Sequence, residues 1–161
     1  MTDSDYNNAV DELADNLFRF AVKHTRNKML AEDIVQETFA KVWEKRDSVQ
    51  ADKVKSYLFT TAYHALVDTM KRENKSGSLE AVPERGQEHK MHGFDIQAVL
   101  HEALGRLPEI QKTVVLLRDY EGYSYDEIAE ITELNESQVK VYIFRARSAM
   151  KAYIKDLELV A

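Results

Sequence analysis

Cysteine is absent from the 161 residues, so the chain has no disulfide framework and no thiolate metal site. Proline occurs twice and glycine five times, and so few breakers favour long helices over a turn-rich β fold. No apolar run approaches the ~20 residues that a membrane-spanning helix needs. The first residues, MTDSDYNN, are acidic and polar, unlike a secretory signal. A cytoplasmic protein with no direct membrane insertion is therefore expected. An excess of cations is missing too: the net charge is −6, the wrong sign for a simple DNA binder.

The distribution of charge is more telling than its sum. Residues 41–75 carry net +3 and residues 136–155 net +4, whereas residues 1–40 and 112–135 carry −4 each. Two basic islands thus sit in an acidic body. Phosphate contacts supply most non-specific affinity for DNA, so such a chain binds DNA poorly alone and calls for a partner that brings DNA to it. The plainer alternative is that each island is a solvated face.

Apolar residues recur at helical spacing in three early segments: Val10, Leu13, Leu17, Phe20 and Ala21, then Leu30, in 6–30; Ile34, Val35, Phe39, Val42 and Trp43 in 31–46; Val54, Leu58, Ala62, Ala65, Leu66 and Met70 in 53–73. One amphipathic helix cannot bury its face alone, so the three are expected to bundle. The pattern stops over residues 74–94, which read as a flexible linker. It resumes over 95–107, and a second helix opens at Pro108 and ends at Gly122. The expected fold is all-α: two small helical domains, 6–73 and 95–157, on a loose tether.

Residues Tyr123 to Ala152 have the layout of a helix-turn-helix, whose second helix enters the DNA major groove. Asn135 or Ser137 is placed to cap that second helix. On a helical wheel Val139, Ile143, Ala146, Met150, Tyr153 and Leu157 form a core stripe. The opposite side carries Ser137, Val141, Phe144 and Ser148, flanked by Lys140, Arg145 and Lys151. Apolar contact with thymine methyls would give Val141 and Phe144 a role, while Lys140 and Arg145 reach base edges or phosphates. Otherwise Phe144 packs on a neighbouring helix.

Asp33, Gln36, Glu37 and Lys41 share one flank of their helix. No nearby histidine, glycine-rich loop or nucleophile supports catalysis, so neither enzyme activity nor a cofactor is expected. A polar patch for a protein partner fits better. In the next helix Tyr57, Phe59, Tyr63 and His64 stand among Lys53, Lys55, Lys71 and Arg72. Aromatic rings interleaved with cations suit an unpaired strand, whose bases stack and whose phosphates need charge. The competing reading makes Tyr57 and Phe59 ordinary core. His89 and His92, three apart in the tether, are a weak metal signal without further ligands.

Four segments, AEDIVQETFAKVWEKRD at 31–47, SYLFTTAYHALVDTMKRE at 56–73, LGRLPEIQKTVVLLRDYEGYSYDEIAEIT at 104–132 and SQVKVYIFRARSAM at 137–150, resemble an extracytoplasmic-function (ECF) sigma factor of the sigma-70 family. The resemblance implies an alternative sigma factor that directs RNA polymerase core to promoters. Region two would bind the polymerase clamp and melt and read the minus-ten element. Region four would bind the flap and read the minus-thirty-five element. On this basis Asp33, Gln36, Glu37 and Lys41 would face polymerase. The loop from Asp47 to Lys55 and the helix after it, with Lys53, Lys55, Tyr57, Phe59, Tyr63, His64, Lys71 and Arg72, would hold unpaired minus-ten bases. Ser137, Gln138, Lys140, Val141, Tyr142, Phe144, Arg145 and Ser148 would face minus-thirty-five DNA. An anti-sigma factor is the implied controlling partner. Val141 and Tyr142 stand where relatives often have Ser and Arg, and His64 where many have Asn, so the promoter sequence read is this chain's own. A dimeric helix-turn-helix regulator, or a helical adaptor that binds no DNA, are the alternatives.

Overall fold

The computed structural model describes residues 1–76 and 95–160, with side chains up to Glu73 in the first segment and Glu158 in the second. The rest of the tether, with His89 and His92, lies outside the described residues. All regular structure among the described residues is helical.

Helix α1 (Asp3–Thr25) begins at a reciprocal cap: the Asp5 amide donates to Thr2 Oγ1 at 3.0 Å and the Thr2 amide to Asp5 Oδ2 at 2.9 Å. It ends where Arg26 takes a left-handed conformation, φ 59°, and Asn27 then caps α2 (Lys28–Glu44) by accepting from the Leu30 amide at 3.0 Å. Leu30 thus belongs to the second helix and not the first, because a non-glycine left-handed residue resets the chain with no compositional signal. Two short 3-10 turns, Arg46–Ser48 and Ala51–Lys53, lead into α3 (Val54–Ser76). Leu17, Phe20, Ala21, Ile34, Val42, Leu58, Ala62 and Leu66 close the core between these three helices.

The second half starts with α4 (Ile96–Gly105), capped by Asp95. Pro108 immediately precedes α5 (Glu109–Val115), which runs on into a π-helical turn, Leu116–Tyr120. Here the Glu121 amide reaches back five residues to the Leu116 carbonyl at 3.1 Å. Gly122 turns the chain at φ +78°, where a side chain would be strained. Ser124 and Glu127 cap α6 (Tyr125–Thr132) reciprocally. Asn135 caps α7 (Glu136–Val160): it accepts from the Gln138 amide at 2.8 Å while Gln138 Oε1 accepts from the Asn135 amide at 3.0 Å. The cap is therefore Asn135 and not Ser137.

The two halves pack against each other, α3 on α6 and α1 on the α4–α5 region. Aromatic rings fill the middle of the seam: Phe20 lies 5.5 Å from Phe59, and Phe59 lies 5.1 Å from Tyr123. Polar pairs surround them. Arg19 forks onto Glu121 at 3.2 and 3.3 Å, Arg26 meets Glu102 at 3.4 Å, and His64 meets Glu133 at 3.3 Å. Buried Lys112 donates to the His24 carbonyl at 3.0 Å, at the electronegative end of α1. Almost every cation of this seam comes from the first half and every anion from the second.

Candidate nucleic-acid and polymerase interfaces

The core stripe of α7 has Val139, Ile143 and Ala146 fully buried against the second domain, which turns the other face outward. On that face Val141 is 44 % exposed and Phe144 70 % exposed, so Phe144 does not pack on a neighbouring helix. Ser137, Gln138, Lys140, Arg145 and Ser148 are exposed beside them, while Tyr142 is half-buried against the core. Lys140 lies 3.7 Å from Glu136, one turn back, and 5.6 Å over the Tyr125 ring, so α6 steadies it. Arg147 is held away from this face by a two-pronged bond to Asp119. Arg145 and Lys151 are exposed and make no ion pair among the described residues, which leaves both available to phosphate.

The flank of α2 is exposed as expected at Asp33, Gln36, Glu37 and Lys41, with Glu37 and Lys41 paired at 2.8 Å. Their hydrogen bond holds the Lys41 ammonium above the ordinary lysine range.

The residues named on and before α3 divide. Lys53, Lys55, His64, Lys71 and Arg72 are exposed, and Tyr57 and Tyr63 are half-buried. Phe59, by contrast, is 0 % exposed between Phe20 and Tyr123. Its expected role as an open stacking platform does not hold in this arrangement. The side chain completes an apolar seam supplied from the other half of the chain. Nor do the cations converge: Lys71 and Arg72 stand ~24 Å along the helix from Lys55, at 1.5 Å rise per residue.

His24 is a deeply buried titrating group of the seam. His24 Nε2 pairs with Thr113 Oγ1 at 2.6 Å, and that hydroxyl donates to the Glu109 carbonyl at 3.0 Å, so the imidazole is the donor. Its Nδ1 is buried without a hydrogen-bond partner among the described residues, 3.6 Å from a Glu109 carboxylate oxygen. Burial, and then the Lys112 ammonium, pull His24 down to about 3. Lys112 also meets Glu109 at 3.4 Å.

A capped helix-turn-helix with an outward basic and apolar face, joined to a three-helix bundle with a polar flank, defines a two-part helical DNA-binding protein of transcription. The comparisons with known proteins narrow the class. Family models match on both sides of the tether, Sigma-70 region 2 over residues 9–76 and Sigma-70 region 4 over residues 97–150. The ECF RNA polymerase sigma factor SigM of Bacillus subtilis is 28 % identical over 142 residues, covering 85 % of this chain and 87 % of that protein. The B. subtilis RNA polymerase sigma factor SigV is 29 % identical over 149 residues, covering 89 % and 87 %. Among solved structures, the sigma factor RpoE in complex with the anti-sigma factor NepR from Bartonella quintana superposes with a TM-score of 0.78 at 26 % identity, covering 94 % of this chain and 97 % of that one. The chain belongs to the sigma-70 family, as an ECF sigma factor. Such proteins are transcription initiation factors. Among the described residues no helix is long and apolar enough to cross a membrane.

Proposed function

We propose that this chain directs bacterial RNA polymerase core to its own set of promoters in the cytoplasm, reading minus-ten and minus-thirty-five elements with its two halves. The observation that carries the reading is the α7 face, where Phe144 and Val141 are held out to solvent between Lys140 and Arg145 by a buried stripe on the other side. Large apolar side chains that a folded protein leaves exposed beside cations are suited to thymine methyls and phosphates. Residues 9–76 then bind the clamp through Asp33, Gln36 and Glu37 and hold the unpaired minus-ten strand with the loop after α2 and with α3. Residues 97–150 bind the flap and read the upstream element.

The closed seam supports control by opening. With α6 against α3, Phe59 and part of Tyr63 are covered, and Lys55 lies 4.9 Å over the Tyr123 ring. That face meets a DNA strand only after the halves part. The anti-sigma factor NepR accompanies RpoE in its structure, and a partner of that kind, holding the halves together, is proposed here too. The acidic balance of the chain fits a protein that binds DNA weakly by itself and specifically inside holoenzyme.

Sequencing transcripts after overexpression gives the promoters, and abortive initiation on them with core polymerase tests the role. Promoter opening dependent on this chain is expected. Tight specific binding to duplex by the isolated chain, with no opening on addition of core, would overturn the proposal.

A further inference from the structure

We infer that Arg46 is a positioning residue, which holds the 46–53 loop in the shape that reads the minus-ten strand. The inference rests on the proposed role of that loop in holding unpaired minus-ten bases. In the sequence Arg46 is one more cation of the basic island and a natural phosphate ligand. In the structure its guanidinium is engaged within the protein. Its Nε donates to Asp3 Oδ1 at 3.0 Å, and Nη1 donates to the Trp43 carbonyl at 2.7 Å. Its plane sits 3.6 Å from the centre of the Trp43 ring. Trp43 is fixed in turn by Tyr6, 4.8 Å away and edge-on, and the Tyr6 hydroxyl donates to the Phe39 carbonyl at 3.0 Å. Arg46 therefore joins the start of α1, the end of α2 and the start of the loop.

The loop itself needs such an anchor. It has two single 3-10 turns, with only Val49 buried between them. Asp47, Ser48, Gln50, Ala51, Asp52 and Lys53 are exposed. Residues so exposed hold few contacts of their own, and a reading loop must keep its donors and acceptors in fixed places for base discrimination. Arg46 pins the entry, Val49 the middle, and half-buried Val54 the exit. A planar fork that bonds in its plane while stacking through its face is beyond a lysine. The residue type thus reflects the positioning task and not charge alone.

The test uses holoenzyme with Arg46→Lys, Arg46→Ala and Asp3→Asn, on a promoter library randomised at the minus-ten positions. Asp3 belongs to α1, outside every group assigned to DNA, and its side chain is largely exposed, so Asp3→Asn leaves the fold intact. Core affinity, measured in parallel, is expected to be unchanged for all three. Base preference at minus ten should flatten about tenfold for both Arg46 variants, the scale of one lost base contact, and in the same direction for Asp3→Asn. The salt dependence of promoter binding should not change. If Arg46 instead touches phosphate, Arg46→Lys keeps the preference and Arg46→Ala lowers the salt slope by about 0.7, the value for one phosphate on a single strand. Either result overturns the inference. Gln50→Ala and Asp52→Ala separate it from its premise: if neither alters minus-ten preference, the loop does not read that strand and the premise falls, taking the inference with it.

Discussion

Tyr123 meets Phe59 edge-on at 5.1 Å across the seam between the two halves, 64 positions apart in the chain, and its own hydroxyl is buried without a hydrogen-bond partner among the described residues. Burial, and then Glu121 and Glu127, push its ionisation well above the ordinary tyrosine range, so it stays neutral.

Tyr123→Phe keeps the ring, its contact with Phe59 and the Lys55 cation above it, and removes only the unbonded hydroxyl. The denaturant midpoint is expected to rise, by about 1 kcal/mol of stability. A fall of that size would show that the hydroxyl is satisfied.

Acid should loosen the closed form. His24 is held at about 3 there, against an ordinary value near 6.5. A depressed value means that the closed form favours neutral imidazole, so this stabilisation is complete above ~6.5 and is lost as the pH falls toward 3. Thr113, Lys112 and Glu109 face the ring from the second domain, and only Glu109 would welcome the new charge. Separation of the halves, followed by energy transfer between dyes on α2 and α7, should become easier by about 1.4 kcal/mol between roughly pH 7.5 and roughly pH 5.5. His101, which burial and then Arg26 hold below its ordinary range, adds a slope of the same sign. The comparison is therefore made with His24→Gln, whose slope should be shallower. Equal slopes would remove His24 from the account.

Lys140→Ala with Arg145→Ala should abolish recognition of the upstream element and leave core binding intact. Phe144→Ala alone should cost about 1 kcal/mol of discrimination at one thymine, the scale of one buried methyl group. Footprinting of holoenzyme on promoter variants measures both. Loss of core affinity in the double variant would contradict the assignment of the α7 face.

Asp33→Ala with Glu37→Ala should weaken core binding, read by fluorescence anisotropy of labelled chain titrated with core. Removing Glu37 also frees Lys41, its partner at 2.8 Å. Glu37→Gln, which keeps the shape and loses the charge, should fall between the wild type and the double variant. Unchanged affinity would refute the patch.

Much of this was legible in the sequence wherever local periodicity decides structure. The three early helices, the helix-turn-helix and the outward Val141–Phe144 face emerge from spacing along one helix at a time. What escaped were contacts between distant segments. Phe59 looks like a nucleic-acid platform because its neighbours in sequence are cations, and its covering ring belongs to the other domain. Arg46 looks like a free charge because Asp3 is 43 positions away. Glu121 looks like solvated acid in a stretch of net −4, yet its side chain is 2 % exposed beneath Arg19, 102 positions away. The break at Arg26 is hidden for another reason: nothing in an arginine announces a left-handed turn.

The π-helical turn at Leu116–Tyr120 bears on which lengths of chain this architecture accepts. One residue fewer there would restore a regular α-helix with a better hydrogen-bond ladder, and would swing Glu121 about 100° around the axis, away from Arg19. The extra residue works as a phase shifter: it sets the azimuth at which the helix delivers Glu121 and Tyr123 to the first domain. Substitutions in this turn can be gradual in effect, whereas a single deletion would disengage both contacts at once.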